Sequence, residues 1–315
     1  MESGYLVAWR SGLLEKRIRQ SEKLLADCSL CPRKCGVNRL ANEKGMCRTG
    51  LLAEVASYCP HFGEESVLVG EQGSGTIFFC GCNLLCVFCQ NYDISHPEHN
   101  SCDVLSDEQL GSMMVGLQQQ GCHNINFVTP SHVVPQILSA LPHAIEKGLT
   151  VPLVFNSSGY DEVETLTLLE GIVDIYMPDF KFWNSETARR YARAGNYPEK
   201  ARAALLEMQR QVGDLQVNSK GRAERGMLVR HLLMPGLMEE TVEVLKFIAY
   251  SISTNCYVNI MDQYRPEGMA GNFPELNATI DTQEYKKAKK IAREVGLLRL
   301  EEKELSVLVK RLFKG

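Results

Sequence analysis

Four cysteines occupy ten positions of the stretch IFFCGCNLLCVFCQNY, which covers residues 77–92 and begins as an apolar run of strand length. Three of them, here called the cysteine triplet, follow the spacing Cys82-x3-Cys86-x2-Cys89. A structural zinc ion usually takes four ligands from separated pairs, so a compact triplet fits it poorly. Three thiolates can instead hold three irons of a [4Fe–4S] cube and leave the fourth open to a substrate or cofactor. The triplet indicates a reactive iron–sulfur site, whereas Cys80, inside the predicted strand, is expected to be buried.

A second group of four cysteines lies in CSLCPRKC and the following GMC, and its members, the N-terminal cysteines, are Cys28, Cys31, Cys35 and Cys47. Four thiolates at short, separated spacings make a closed set that suits zinc or a fully ligated iron–sulfur cluster. The spacing does not decide between these metals. The other cysteines stand singly, and a lone cysteine is usually a small buried hydrophobe. This expectation covers Cys59, Cys102, Cys122 and Cys256.

The composition is that of an ordinary globular protein, with 315 residues, 44% of them hydrophobic and 23% charged. A net charge of −4 provides no general attraction to nucleic acid or to an anionic membrane. Charges interrupt the apolar residues of the N-terminus, which argues against a signal peptide, and no segment reaches the roughly 20 apolar residues of a membrane helix. We therefore expect a cytoplasmic protein, in which structural disulfides are rare and clustered cysteines bind metal.

From residue 73 onward, apolar runs of strand length alternate with stretches of helical spacing, the longest of which is a polar one at 185–212. Six such units follow one another, with predicted strands at 76–80, 124–130, 151–160, 173–181, 227–236 and 257–266. Strands that are apolar on both faces are typical of a parallel sheet covered by helices. The pattern predicts an α/β fold with fewer units than a closed barrel. It fits either an open, partial barrel or a doubly wound sheet.

Polar residues collect where these predicted strands end. Parallel α/β proteins place their ligand sites at the carboxyl ends of the strands, so six such ends in a row favour a binding site over isolated turns or helix caps. Beyond the cysteine triplet, the residues concerned are Thr129, His132, Asn156, Ser157, Ser158, Asp179, Lys181, Arg230, His231, Asn259, Asp262 and Gln263.

CNLLC followed by CVFC resembles the C-x3-C and C-x-aromatic-C signature of the radical S-adenosylmethionine (SAM) enzymes. The resemblance implies that SAM chelates the open iron through its amino and carboxylate groups. One electron from the reduced cluster then splits the C5′–S bond, and the resulting 5′-deoxyadenosyl radical takes a hydrogen atom from the substrate. Phe88 occupies the position at which the family's aromatic residue packs near the adenine.

Within that superfamily, the chain resembles the pyruvate formate-lyase activating enzymes, and among them an uncharacterised branch. The similar segments are HFGEE, GSGTIFF, GCNLLCVFCQNY, NFVTPSHVVPQI, NSSGY, VDIYMPDFK and MPG, within a similarity that covers roughly residues 28–298. The resemblance implies a partial (β/α)6 barrel of the TIM type. We accordingly predict a helix and a Cys-rich metal-binding segment at 1–70, the barrel at 71–300 and a helical tail at 301–315.

The resemblance also implies several binding residues. The activating enzymes use a D-x-K pair after strand four to hold SAM, and the matching pair here is Asp179 and Lys181. They bind a monovalent cation beside the SAM carboxylate, at positions matched by Asn156, Ser157, the Met177 carbonyl and Asp179. Asn156 replaces an aspartate of the family, and the lost charge weakens a cation site.

Other positions depart from the family pattern. FVTPSHVVP replaces the GGE segment whose backbone receives the SAM amino group, so we expect Thr129, Ser131 and the backbone near Pro130 to make that contact. Arg230 is expected to reach the SAM carboxylate or the substrate, or else to form a salt bridge under the barrel. HFGEE is expected to be a loop that packs on the barrel. A SAM-contacting histidine of the family is replaced by one of three candidates, Asn259, Asp262 and Gln263.

Three functional hypotheses follow from the resemblance. The first is an activase that takes a hydrogen atom from a backbone glycine of a partner, a glycyl radical enzyme, with flavodoxin or ferredoxin as electron donor. The second is radical chemistry on a peptide, a nucleotide or a small metabolite. The third is an iron–sulfur electron-transfer protein that does not turn SAM over, although such a carrier needs no ring of polar strand ends.

Overall fold

Nine strands and eleven α-helices form the regular structure of residues 1–96 and 102–302, the part of the chain that the computed structural model describes. The strands are β1 (Ala53–His61), β2 (Ser74–Phe79), β3 (Asp103–Leu105), β4 (Ile125–Val128), β5 (Leu153–Asn156), β6 (Ile175–Tyr176), β7 (Gln216–Val217), β8 (Ala223–Leu232) and β9 (Tyr257–Met261). The helices are α1 (Gly4–Arg10), α2 (Leu13–Lys23), α3 (Ser66–Val69), α4 (Tyr92–Ser95), α5 (Asp107–Gln119), α6 (Val134–Glu146), α7 (Val163–Leu169), α8 (Ser185–Ala192), α9 (Tyr197–Val212), α10 (Met238–Phe247) and α11 (Thr282–Glu294). The predicted helical tail lies, from residue 303 onward, outside the described residues.

Six parallel strands form the body of the sheet, in the order β2, β4, β5, β6, β8 and β9. The six predicted strands are confirmed, although most are shorter than their apolar runs. Strands lie side by side in chain order, without the reversal that defines a doubly wound sheet. Within the described ranges, β2 and β9 do not pair with each other. The sheet is therefore open, which confirms the partial (β/α)6 barrel.

Alternate residues of the parallel strands face two apolar cores. Val154, Ile175 and Leu228 belong to a small cluster that we place on the inner face of the barrel. The residues next to them in the chain point to the opposite face of the sheet and belong to the larger core, which also contains the apolar residues of the surrounding helices. Since side chains two apart on a strand share a face, Asn156 and Arg230 continue the inner face toward the carboxyl ends of the strands.

Two antiparallel strands, which the sequence pattern does not predict, extend the sheet beyond β2. β1 pairs with β2, and β3 pairs with the other edge of β1. Phe79 and Asp103 both lie opposite Val55, so Cys80 and Cys102, their chain neighbours, come together and form a disulfide. Cys80 is buried, as expected. The expectation that Cys102 is a single buried thiol is wrong, because it takes no account of this antiparallel edge.

Three single cysteines remain. Cys122 and Cys256 are buried, as expected for small hydrophobic residues. Cys59 is exposed, which contradicts the expectation for it. The reason is that it lies in β1, whose residues Ser57 to Cys59 are all exposed at this edge of the sheet.

The N-terminal helices reach the end of the barrel opposite to the predicted site. Gly4 N–H donates to Asp174 Oδ1 over 2.7 Å, and the Ser3 hydroxyl donates to the Thr150 carbonyl over 2.8 Å. Thr150 and Asp174 precede β5 and β6, so these contacts lie at the amino ends of the strands. These helices therefore do not cover the carboxyl ends of β5 and β6.

The long polar helical stretch predicted at 185–212 divides into α8 and α9. Arg193 adopts a left-handed conformation, with φ of 52°, and ends α8. The Tyr191 carbonyl in the last turn of α8 accepts from Val87 N–H over 2.8 Å, so this turn contacts the loop of the cysteine triplet. No helix in the described ranges combines the length and the apolar character that crossing a bilayer requires.

Candidate active site

The cysteine triplet lies on the loop that leaves the carboxyl end of β2. Gly81 turns the chain into this loop with φ of 78°, in the left-handed region that favours glycine. A Cβ added to Gly81 would lie 2.1 Å from the Cys47 carbonyl oxygen. The close approach requires glycine at this position, and it brings the loop directly against the N-terminal cysteine segment.

Hydrogen-bond donors point at two of the three thiols. Leu84 N–H donates to Cys82 Sγ over 3.3 Å, and the Ser95 hydroxyl donates to Cys89 Sγ over 3.2 Å. Burial raises the pKa of the Cys82 thiol, and the Lys181 ammonium acts in the opposite direction. Donors at sulfur and a nearby positive charge favour the thiolate, which is the form that binds iron.

The triplet fits an iron–sulfur cluster rather than a single metal ion. A single metal ion needs its ligands around one point. A [4Fe–4S] cube makes a different demand, because each thiolate binds its own iron at a separate corner. Cys86 is buried, and Cys82 and Cys89 are half-buried on the same short loop. The donor set therefore suits a cube with one open corner.

Four of the predicted binding residues form one hydrogen-bonded network at the strand ends. Asp179 Oδ1 accepts from Arg230 Nε over 2.7 Å, and Asp179 Oδ2 accepts from Lys181 Nζ over 2.5 Å. Arg230 Nη2 also donates to Asn156 Oδ1 over 2.7 Å. Burial acts to raise the pKa of the Asp179 carboxyl, but Arg230 and Lys181 outweigh it and hold the pKa below its usual range. Asp179 is an ionised carboxylate between two cations.

The network also occupies part of the predicted cation site. Arg230 brings its guanidinium against Asn156 and Asp179, two of the side chains assigned to the cation. Ser157 is the third side chain assigned to the cation, and its hydroxyl donates to Asp161 Oδ2 over 2.6 Å. Burial raises the pKa of Asp161 to about 6. In this arrangement a guanidinium already provides positive charge at Asn156 and Asp179.

Thr129 and Ser131 follow β4, as predicted. Thr129 has φ of 58°, a left-handed conformation that is rare for a β-branched residue, and its N–H donates to the Asn156 carbonyl over 2.9 Å. Ser131 is buried. Backbone strain of this kind is concentrated at ligand sites in proteins.

On the cysteine loop, the buried Phe88 ring packs edge-on against Phe182, with 6.0 Å between the ring centroids.

Two carboxylates of HFGEE reach this network, and the sequence pattern indicated no role for them. Glu64 Oε2 lies 3.7 Å from Arg230 Nη1. Glu65 Oε1 accepts from Asn259 Nδ2 on β9 over 2.8 Å, and burial raises the pKa of Glu65. The loop therefore does more than pack on the barrel, because it brings two acidic side chains to strands β8 and β9. Two adjacent acidic residues in a segment without periodicity give no sequence signal for this position.

The three candidates at the last strand, Asn259, Asp262 and Gln263, differ in their position relative to β9. Asn259 lies within β9 and contacts Glu65, whereas Asp262 and Gln263 follow the end of that strand.

Asn126 of β4 pairs in register with Val154 of the inner face. Both polar atoms of the Asn126 amide are buried without a hydrogen-bond partner in the part of the chain described. Buried polar groups are normally paired, so the Asn126 amide can bond to a group held at the inner face, and its inward position was a signal available in the sequence.

The N-terminal cysteines line one small cavity. Burial raises the pKa of Cys31 to about 12, and the neighbouring thiols of Cys28, Cys35 and Cys47 act in the same direction. Arg33 ties this segment to the triplet loop. Its Nε donates to the Asn83 carbonyl over 2.8 Å, and its Nη2 donates to the Leu84 carbonyl over 3.1 Å. The structure thus brings the four cysteines together and places them beside the triplet.

Comparison with known proteins gives a family match and a relative. The model of the Radical SAM superfamily matches residues 76–248, which include the triplet and the Asp179–Arg230 network. An uncharacterised protein of Methanocaldococcus jannaschii is 32% identical over 296 residues, which are 91% of this chain and 80% of that protein. The family match therefore covers strands β4 to β8, the triplet and the Asp179–Arg230 network.

Three solved structures resemble this chain at low sequence identity, each with a TM-score below 0.5. Native anSMEcpe with bound AdoMet is 12% identical with a TM-score of 0.45, over 68% of this chain and 57% of that one. Streptococcus suis SuiB bound to precursor peptide SuiA is 9% identical with a TM-score of 0.48, over 74% and 49%. HydG, a maturase of the [FeFe]-hydrogenase, is 15% identical with a TM-score of 0.47, over 70% and 48%. The match spans about half the length of these proteins.

Proposed function

Since this chain belongs to the radical SAM superfamily, we propose that it is an enzyme that cleaves SAM reductively and takes a hydrogen atom from a glycine of a partner protein. The glycine is the finer part of the proposal. It is supported by the resemblance of HFGEE, NSSGY and VDIYMPDFK to segments of the pyruvate formate-lyase activating enzymes.

The cysteine triplet would hold the [4Fe–4S] cluster of this enzyme. When bound, the cluster and SAM supply a 5′-deoxyadenosyl radical, which removes the hydrogen atom. The loop fixes the thiols at the carboxyl end of β2, where Leu84 N–H and the Ser95 hydroxyl donate to sulfur. Phe88, within this loop, buries its ring against Phe182.

The position of the Asp179 network beside the triplet carries the proposal. Lys181 acts electrostatically on the thiols of Cys82 and Cys86, and Asp179 acts on that of Cys86. SAM has a carboxylate, an ammonium group and ribose hydroxyls. Lys181 and Arg230 can donate to its carboxylate, and Asp179 can accept from its hydroxyls. A protein that only carried electrons would need no such paired charges next to its cluster.

In this proposal the enzyme works in the cytoplasm and receives its electron from flavodoxin or ferredoxin. Arg48 and Arg193 are exposed and line an open cavity of about 440 Å³ together with Leu85 of the triplet loop. A basic surface of this kind complements an acidic electron carrier. It supports electron entry on the side where the triplet loop approaches the surface.

SAM cleavage is the direct test of the enzyme class. Protein that has been reconstituted with iron and sulfide, and then reduced, should release 5′-deoxyadenosine from SAM. Cys86→Ala should release none. A protein that holds its cluster and binds a reductant but never cleaves SAM would be an electron carrier, and the proposal would be wrong.

Isotope transfer tests the glycine. We would supply the reduced enzyme with anaerobic extract from cells grown on α-deuterated glycine, separated into macromolecular and small-molecule fractions. Deuterium in 5′-deoxyadenosine that depends on the macromolecular fraction would support a protein glycine. Turnover that depends on the small-molecule fraction, or turnover without label, would favour the radical modification of a peptide, nucleotide or metabolite instead.

A further inference from the structure

The cavity of the N-terminal cysteines contains polar atoms that nothing in the described chain satisfies. Arg39, Asn83 and His132 line it, and each is at most 1% exposed. Among the described residues, Arg39 Nη2, Asn83 Oδ1 and His132 Nδ1 are buried without a hydrogen-bond partner. Three such atoms in one small cavity are unusual, because native proteins pair nearly all their buried polar groups. Their common position indicates a bound group.

The charge in this cavity indicates that the group is anionic. Arg39 is a buried cation whose Nε and Nη1 donate to the Gly50 and His132 carbonyls over 2.9 and 2.7 Å. No carboxylate pairs with it in the described ranges, and it acts electrostatically on the Cys28 thiol and on the His132 ring. An uncompensated buried charge is costly. Four thiolates around a metal centre would supply the missing negative charge.

The cavity lies between the surface and the triplet. Cys35 is exposed, so one side of the site reaches solvent. On the other side, Asn83 directly follows Cys82 in the triplet loop, so this loop forms part of the cavity wall. The backbones of Gly81 and Cys47 are in contact at the same place. A redox centre here would stand next to the loop of the first cluster.

We infer that the N-terminal cysteines hold a second [4Fe–4S] cluster, which passes electrons from the surface to the cluster of the triplet. An acidic flavin or iron–sulfur carrier loses one electron, which reduces the second cluster. That cluster is oxidised again when it reduces the first cluster by one electron. The relay rests on the proposed function, whereas the metal site does not. Zinc has no redox chemistry, so it could not serve as this relay.

A variant without the triplet separates the two sites. With all three cysteines of the triplet replaced by alanine, anaerobically reconstituted protein should keep about four irons and four sulfides, against about eight of each in the unmodified protein. Adding Cys28→Ser and Cys31→Ser should remove the remainder. Cys122→Ser, at a buried cysteine outside both groups, should leave the iron content unchanged. One zinc without iron in the triplet-free variant, or no metal, would overturn the inference.

The relay has a separate test in protein whose triplet is intact. Cys28→Ser with Cys31→Ser should still cleave SAM with dithionite, a small reductant that does not need the second cluster, and should lose most of this activity with flavodoxin. Equal activity with both reductants would overturn the relay. If unmodified protein cleaved no SAM with either reductant, the proposed function would fail and the relay with it, while the metal content would still decide the second cluster.

Discussion

Arg230 and Asp179 are joined across the inner face of the barrel, with 2.7 Å between Nε and Oδ1. Lys181 holds the other carboxylate oxygen of Asp179. One carboxylate therefore orients two cations beside the cysteine triplet. The arrangement gives the site a fixed pattern of charge before any ligand arrives.

We predict that this charge pattern holds SAM. Asp179→Asn and Lys181→Ala should each weaken SAM binding roughly tenfold to a hundredfold, because a hydrogen bond to a charged group contributes about 1.5–3 kcal/mol. The measurement is SAM affinity of protein that retains its cluster. Lys246→Ala is the control, since Lys246 pairs with Glu243 on the exposed surface of α10. Unchanged affinity in both site variants would reduce the pair to a structural role.

The triplet and Cys80 should differ in their effect on the cluster. Replacement of Cys82, Cys86 or Cys89 singly by alanine should abolish reductive SAM cleavage, because each thiolate binds a separate iron. Cys80→Ala should leave most of this activity, because Cys80 is bonded to Cys102 and offers no thiolate to iron. Released 5′-deoxyadenosine is the measurement. Full activity in Cys86→Ala would contradict the assignment of the triplet.

Gly81 should be far less tolerant of substitution than a matched glycine. Gly81→Ala should lower both stability and iron content, because its Cβ would meet the Cys47 carbonyl oxygen at 2.1 Å. Gly148 has a similar left-handed φ of 91°, but a Cβ added there would meet no atom within 4 Å, so Gly148→Ala should cost only the roughly 1–2 kcal/mol of a left-handed L-residue. Denaturant unfolding and iron analysis compare the two. Equal effects would mean that the contact with Cys47 adds nothing to the conformational cost.

Acid should destabilise the fold through His231. Burial lowers the pKa of His231 to about 4, below the 6.5 of an exposed histidine. The unfolded chain therefore takes up this proton first, and the free energy of unfolding falls as the pH drops from about 6.5 toward 4, by at most roughly 3 kcal/mol. His231→Gln should reduce this dependence in denaturant unfolding at several pH values. His143→Gln, at a half-buried histidine, is the control, and the same slope in both variants would contradict the prediction.

The sequence predicted the six parallel strands because each is an apolar run that is buried on both faces. It did not predict β1 or β3. β1 contains Pro60 and three consecutive exposed residues, Ser57 to Cys59, and its position becomes defined only through pairing with β2. The disulfide between Cys80 and Cys102 depends on the same pairing, so it could not be predicted either.

The site residues at the strand ends could be located from the sequence, but their partners could not. The contact between Arg230 and Asp179 requires β8 to lie beside β6, although α8, α9 and β7 separate these strands in the chain. Periodicity of the sequence indicates the face of the sheet on which a side chain lies. It does not indicate which strands lie next to each other. Glu64 was missed for the same reason, because its loop has no periodicity to indicate that it reaches Arg230.

Hydrogen bonds within the protein hold the loop of the triplet in place, and none of them depends on iron. Val87 N–H donates to the Tyr191 carbonyl over 2.8 Å, and the Val87 carbonyl accepts from Met269 N–H over 2.7 Å. Arg33 holds two further carbonyls of the same loop. We expect a loop held in this way to keep its shape without the cluster, so that iron and sulfide resupplied to the folded protein can rebuild the site.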